Sequence, residues 1–131
     1  TYAMIKPAFG SCYGLIRHKW FSKLQFKSLK IKQELFDDYY KDTCGIAKHN
    51  MIAFLQANSL YSIKESIEKC TAKVKVFVGE RENAAMKKSA QIINENLKSS
   101  SLRVMRKMYH GEFSINHAND YVEEILAMVK A

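Results

Sequence analysis

The sequence is poor in the residues that mark several classes of protein. It has one proline and five glycines in 131 residues, and no segment rich in proline, glycine or serine that would indicate a linker. Its three cysteines, Cys12, Cys44 and Cys70, stand far apart and include no C-x-x-C pair. This spacing favours neither a disulfide framework nor a zinc site, so we expect reduced and mostly buried thiols.

Long apolar runs are also missing. No stretch approaches the 18 or more apolar residues needed to cross a bilayer, and the N-terminus lacks the basic-then-apolar order of a secretion signal. We therefore expect a cytoplasmic protein with no membrane partner. The hydrophobic fraction of 47% and the charged fraction of 26% are typical of a globular domain with one core.

Acidic residues are outnumbered, with 13 Asp and Glu against 21 Lys and Arg, giving a net charge of +8. Basic residues concentrate in residues 17–32, before the first acidic residue, Glu34, and they alternate with Trp20, Phe21 and Phe26. Such a stretch can bind nucleic acid, or it can form a solvated helix face whose aromatic side packs. The absence of any known nucleic-acid-binding signature favours the second. A basic, non-catalytic module that binds nucleic acid or an acidic partner remains the alternative function.

Hydrophobic periodicity divides the chain into two parts. Residues 1–70 have helical spacing, and the predicted helices lie within residues 11–26, 29–41, 45–60 and 61–70. After them the period changes to two in "AKVKVFVGE", where Val74, Val76 and Val78 share one face. The remainder reads as strand, helix, strand, helix, over residues 72–80, 83–97, 102–108 and 117–131.

The connection between the two predicted strands determines the fold class. It runs from Glu80 to Ser101 and contains a helix, which is too long for a hairpin and typical of parallel strands with a right-handed crossover. The sequence therefore predicts an α/β fold with a helical segment at residues 1–70 and a β-α-β-α unit at residues 71–131.

Titratable residues follow each predicted strand at the edge where parallel sheets bind ligands. Glu80 and Glu82 come after the first strand, and His110 comes after the second. A carboxylate on one loop can accept the Nδ1–H of an imidazole on the next, which leaves Nε2 able to take a proton. Glu82 and His110 thus form a candidate pair of an acid and a general base.

Residues 72–130 resemble the C-terminal end of an α/β-hydrolase. "VKVFVGEREN" is similar to the late strand that delivers the acid of the catalytic triad, and "LRVMRKMYHGEFSINHANDYVEEI" resembles the last strand, histidine loop and closing helix. The resemblance implies that His110 is the base and Glu82 the acid, where the family more often has aspartate. It also implies cofactor-free, metal-free hydrolysis of an ester or related acyl bond in a small-molecule substrate.

The resemblance further implies that residues 1–70 correspond to the helical lid found in many members. The aromatic side chains in this segment would then favour an apolar acyl group; they are Trp20, Phe21, Phe26, Phe36, Tyr39 and Tyr40.

The nucleophile of such a site is missing, because no G-x-S-x-G turn occurs in the sequence. The string "GSCYG" places Cys12 at the corresponding position, but Lys6 and Pro7 precede it where a buried strand is required, which favours the start of a helix. We therefore expect a fragment of a hydrolase that is inactive by itself. Because two strands leave their outer edges without partners, we also expect self-association through these edges.

Overall fold

The computed structural model describes residues 2–130 and divides the chain into two compact units, Thr1–Ser62 and Ile63–Ala131. The division falls earlier than the predicted boundary after residue 70. Three 3-10 helices, Tyr13–Arg17, Gln33–Leu35 and Glu65–Lys69, accompany the regular elements. The regular elements are α1 (Tyr2–Cys12), α2 (Lys19–Leu29), α3 (Phe36–Gly45), α4 (Lys48–Leu60), β1 (Val74–Gly79), α5 (Ala84–Asn96), β2 (Ser100–Met105), α6 (Glu112–Asn116) and α7 (Ala118–Lys130).

The first unit is helical as predicted, and α4 ends at Leu60 as expected, but several other predicted helix boundaries are wrong. The helix expected over residues 11–26 is interrupted at His18, whose backbone is extended between a 3-10 helix and α2. Helix α1 continues through Pro7, which removes only one intrahelical hydrogen bond. Lys30 ends α2 in the left-handed conformation, with φ of 59°, and this break separates α2 from the next helical segment.

Aromatic residues of α2 and α3 form the core of the first unit. Phe26 is almost fully buried, and its ring centroid lies 5.3 Å from that of Phe36 and 5.1 Å from that of Tyr39. Tyr40 stacks on Phe36, with 6.0 Å between ring centroids. These aromatic residues therefore stabilise the unit itself and do not offer an open apolar surface to a substrate. Trp20 differs, since 64% of it is exposed, so the expectation that the aromatic residues of this stretch pack is wrong for Trp20.

The second unit contains the parallel strand pair that the sequence predicts. In the part of the chain that the structure describes, β1 pairs with β2 alone, with Val74 opposite Ser100 and Gly79 opposite Met105. Strand β2 begins and ends earlier than predicted. Ser100 and Ser101 begin β2, and the Ser100 hydroxyl also donates to carbonyl oxygens at the end of α5.

The two faces of the sheet carry different helices. Lys75 and Arg103 both reach Glu124 of α7, which places α7 over the face of the sheet that carries the odd-numbered strand residues. Phe77 points to the same face, and its ring centroid lies 5.0 Å from that of Phe113. The valines of β1 alternate to the opposite face, where α5 packs against both strands. No helix within residues 2–130 is long and apolar enough to span a bilayer.

Candidate active site

The two strands lead into turns that are bonded to each other at one edge of the sheet. The Glu80 amide donates to the Met105 carbonyl oxygen at 2.9 Å, and the Arg81 amide donates to the Met108 carbonyl oxygen at 2.9 Å. Gly79 lies where these turns approach most closely. A Cβ atom there would stand 2.9 Å from both the Met108 carbonyl carbon and the Tyr109 carbonyl oxygen. Glycine is therefore required by the packing of backbone against backbone.

Glu82 and His110 meet across these turns, as the sequence predicts. Glu82 Oε1 lies 2.8 Å from His110 Nδ1. The Glu82 side chain is 6% exposed, whereas the His110 side chain is 72% exposed. A buried carboxylate at this distance accepts the Nδ1–H of the ring and selects the tautomer whose Nε2 carries no proton. The pair therefore presents a proton-accepting nitrogen on a ring that is accessible to a reactant.

Two further carboxylates hold the histidine loop. Glu80 Oε2 accepts from the Lys107 amide at 2.6 Å, and Lys107 has a φ of 60°, in the left-handed region. Glu112 Oε2 accepts from the Tyr109 amide at 2.8 Å, while the Glu112 amide donates to the Tyr109 carbonyl oxygen at 3.3 Å. The loop that carries His110 is thus bonded on both sides of the ring.

The sequence analysis assigned no role to Glu80 or to Glu112. The bonds between Tyr109 and Glu112 are local, but they form no capping box, because the N-cap of α6 is Gly111 and no side chain caps that helix. The bond from Glu80 to Lys107 joins residues 27 positions apart and has no local signature.

A groove of about 430 Å³ runs along β1 and reaches Glu82. All residues of β1 from Val74 to Gly79 line it, with Ile93 on the α5 side. On the α7 side the wall is aromatic, because Phe113 and Tyr121 line the groove and their ring centroids are 5.7 Å apart. The acid of the candidate pair therefore stands at one end of a largely apolar groove.

A charged cluster lies beneath α7. The hydrogen bond from Lys75 Nζ to Glu124 Oε2, 2.5 Å long, lowers the pKa of the Glu124 carboxyl, and Arg103 lowers it further. Lys75 can lie on the face of β1 that packs against α7 because Glu124 of that helix neutralises its charge. It contributes to the packing of α7 on the sheet.

No nucleophile elbow is formed at Cys12. This residue is exposed at the end of α1, so a helix precedes it in place of the strand that an elbow requires. All three cysteines are free thiols, and the expectation that they are mostly buried is wrong, because Cys44 and Cys70 are half-buried. Among residues 2–130 there is no group of three His, Cys, Asp or Glu side chains that could hold a metal ion.

Comparisons with protein-family models, curated proteins and solved structures found no match. The functional interpretation therefore depends on the geometry of the Glu82–His110 pair and on the residues around it.

Proposed function

We propose that the second unit carries the acid and the base of a hydrolytic site of the α/β-hydrolase type. One observation carries this proposal: the buried Glu82 carboxylate lies 2.8 Å from Nδ1 of an exposed histidine, at the edge where two parallel strands end. A buried acid that fixes the tautomer of an exposed imidazole is the arrangement that prepares a general base. The groove that ends at Glu82 suits an apolar group of a small ester or acyl substrate.

The proposed chemistry needs a nucleophile that the described residues do not place on an elbow. A hydroxyl or thiol group supplied by another polypeptide segment would lose its proton to His110 Nε2 as it attacks the acyl carbon. The imidazolium would then return that proton to the leaving alcohol, and water would release the acyl group by the same route. The Glu82 carboxylate stabilises the charged ring. By itself the chain supplies the base and its positioning acid.

The tautomer of His110 provides the first test. Nitrogen-15 NMR of the full chain should show Nδ1 protonated and Nε2 unprotonated in the neutral ring. Glu82→Gln should abolish this preference, since a glutamine side chain can donate to Nδ1 as well as accept from it. The matched control is Glu112→Gln, which removes a carboxylate from the same loop without touching the ring. An unchanged tautomer in Glu82→Gln would contradict the proposed role of this acid.

Hydrolysis of short-chain aryl esters provides the second test. An activated ester reacts fastest with an imidazole whose Nε2 is held unprotonated by a carboxylate on Nδ1, so the full chain should show a low rate, most of which His110→Ala removes. Glu82→Gln should reduce that rate, whereas His49→Ala, on exposed α4, should not. An equal rate in His110→Ala and in the unaltered chain would remove the site.

The first unit supports a second candidate function on one observation. Trp20 and Leu24 are exposed on α2, and Lys23 and Lys27 are exposed beside them on the same helix. We propose this surface as the binding site of the alternative basic module, for nucleic acid or an acidic partner.

Fluorescence tests this second function directly, because Trp20 is the only tryptophan in the sequence. A short single-stranded oligonucleotide should quench its emission at low ionic strength, and added salt should reverse the quenching. A double variant, Lys23→Glu with Lys27→Glu, should lose the effect, while the same changes at Lys87 and Lys88 of α5 should retain it. No quenching at low ionic strength would exclude nucleic acid.

A further inference from the structure

The outer edge of β1 presents backbone groups that have no strand partner within residues 2–130. The Val74 amide donates to the Ser99 carbonyl oxygen and the Glu80 amide to the Met105 carbonyl oxygen, each at 2.9 Å. Even-numbered residues of β1 therefore face β2. By alternation, Lys75, Phe77 and Gly79 direct their backbone groups away from β2. The groove of about 430 Å³ lies along β1, with α5 above it and α6 and α7 below it.

Helix α7 carries an apolar stripe on the same side of the unit. Tyr121 and Glu124 face the sheet, through contacts with Phe77 and Lys75. One flank of the helix, with Asp120, Glu123 and Ala127, lines a cleft beside β2. The apolar stripe occupies the opposite flank, towards the outer edge of β1, and consists of Val122, Ile125, Leu126 and Val129.

The stripe is exposed to a degree that is unusual for a helix with this spacing. Leu126 is 47% exposed and Val129 is 78% exposed. Apolar residues at positions i, i+3, i+4 and i+7 normally mark the buried face of a helix. One partner could therefore cover both features. A strand of that partner would continue the sheet beyond β1, and an apolar helix beside that strand would pack against the stripe on α7.

We infer that a second copy of this chain binds at this surface. A twofold axis beside β1 would pair β1 with β1 of the other copy in antiparallel orientation, and it would bring the two α7 stripes together. Each copy then supplies the two features that the other lacks, which is the self-complementarity of an isologous interface. The result is a four-stranded sheet with helices on both faces, in place of a two-stranded sheet that is marginally stable by itself.

Charge does not oppose this pairing. Lys75 is the charged residue among those whose backbone faces the outer edge, and its ammonium group is bonded to Glu124 of its own copy. The α7 stripe contains no charged side chain. Because like charges directly opposite each other destabilise a strand pair, the internal ion pair of Lys75 removes the main electrostatic obstacle to antiparallel contact.

The test is the oligomeric state of the full chain and of two charge variants, measured by analytical ultracentrifugation. The unaltered chain should form dimers that dissociate on dilution. Leu126→Glu places a charge in the proposed interface at an already exposed position, so each copy should keep its fold while the dissociation constant rises on the order of tenfold or more. Val104→Glu is the matched control, because Val104 is 52% exposed on β2 and lies outside the proposed interface.

Amide hydrogen exchange gives an independent measurement. The amides of Lys75 and Phe77 should exchange more slowly at high than at low protein concentration, and Leu126→Glu should abolish that dependence. A chain that is monomeric at every concentration would overturn the inference. So would a dimer that Leu126→Glu leaves intact, a dimer that Val104→Glu disrupts equally, or open-ended assembly through both strand edges. None of these outcomes depends on the ester hydrolysis proposed for Glu82 and His110.

Discussion

Gly79→Ala should separate the two turns that hold the candidate site. The added methyl group would lie 2.9 Å from the Met108 carbonyl carbon and 2.9 Å from the Tyr109 carbonyl oxygen, with the Met108 oxygen closer still. All three atoms belong to the backbone, so rotation of a side chain cannot relieve the contact. Ordinary van der Waals contact begins at 3.4 Å, so the turns must move apart by about 0.5 Å or more.

The free energy that this movement costs can be compared with the typical cost of overpacking a protein interior. An extra methyl group in a well-packed site lowers the free energy of unfolding by about 1–3 kcal/mol. Because the contact here is with rigid backbone, we expect a loss of about 3 kcal/mol. The same movement stretches the hydrogen bonds from Glu80 and Arg81 that join the turns. Because Glu82 and His110 stand on opposite turns, the variant should also weaken the bond that fixes the histidine tautomer.

Hydrogen exchange of the β1 and β2 amides measures the first effect, and nitrogen-15 NMR of His110 measures the second. Gly45→Ala is the matched control, because a Cβ atom at Gly45 meets nothing within 4 Å. A Gly79→Ala protein with unchanged exchange and an unchanged His110 tautomer would refute the close approach of the two turns. A loss of stability of similar size in Gly45→Ala would show that the substitution type, and not the contact, is responsible.

Three further predictions concern the packing of the second unit. Asn83→Ala removes the side-chain cap at the start of α5 and should lower the free energy of unfolding by about 1 kcal/mol, measured by denaturant titration. Phe113→Ala empties the centre of the aromatic wall and should cost about 3–5 kcal/mol in the same assay. The pKa of Glu124 is lower in the folded protein than in the unfolded chain, so this carboxyl binds protons more readily when the chain is unfolded. The ion pairs of Glu124 therefore stabilise the fold above pH 4.5, and this stabilisation is lost as the pH falls below that value. Glu124→Gln should flatten this acid-side loss; equal pH profiles would contradict the ion pairs with Lys75 and Arg103.

The strand pair and the Glu82–His110 contact could be predicted because alternating hydrophobic residues are a local signal and because the rule for strand connections applies to all sheets. Alternating valines mark β1, and a long helical connection requires parallel strands, which then deliver their loops to the same edge. The helix boundaries of the first unit could not be predicted in the same way. The extended backbone at His18 and the left-handed Lys30 interrupt the helices at positions that hydrophobic periodicity does not mark.

Within the candidate site, the role of Glu80 also could not be predicted from the sequence. Its carboxylate supports a left-handed lysine 27 positions away, a contact that requires the parallel pairing to exist first. Glu112 bonds to Tyr109 only three residues away, but a tyrosine at that spacing is no capping-box signature either. The bonds that hold the histidine loop therefore become visible only with the fold.

The proposed site and the proposed interface share β1, and this has a physical consequence. The backbone groups of even-numbered residues of β1 bond to β2 and so bring the turn of Glu82 to the turn of His110, while those of odd-numbered residues point to the outer edge along which the groove runs. Glu82 lines that groove. A strand bound in the groove would cover the remaining 6% of the Glu82 side chain that is exposed, while His110 stays at the exposed side of the turn. Lower local polarity strengthens a hydrogen bond between an ionised acid and an imidazole, so dimer formation should raise the preference for the Nδ1-protonated tautomer.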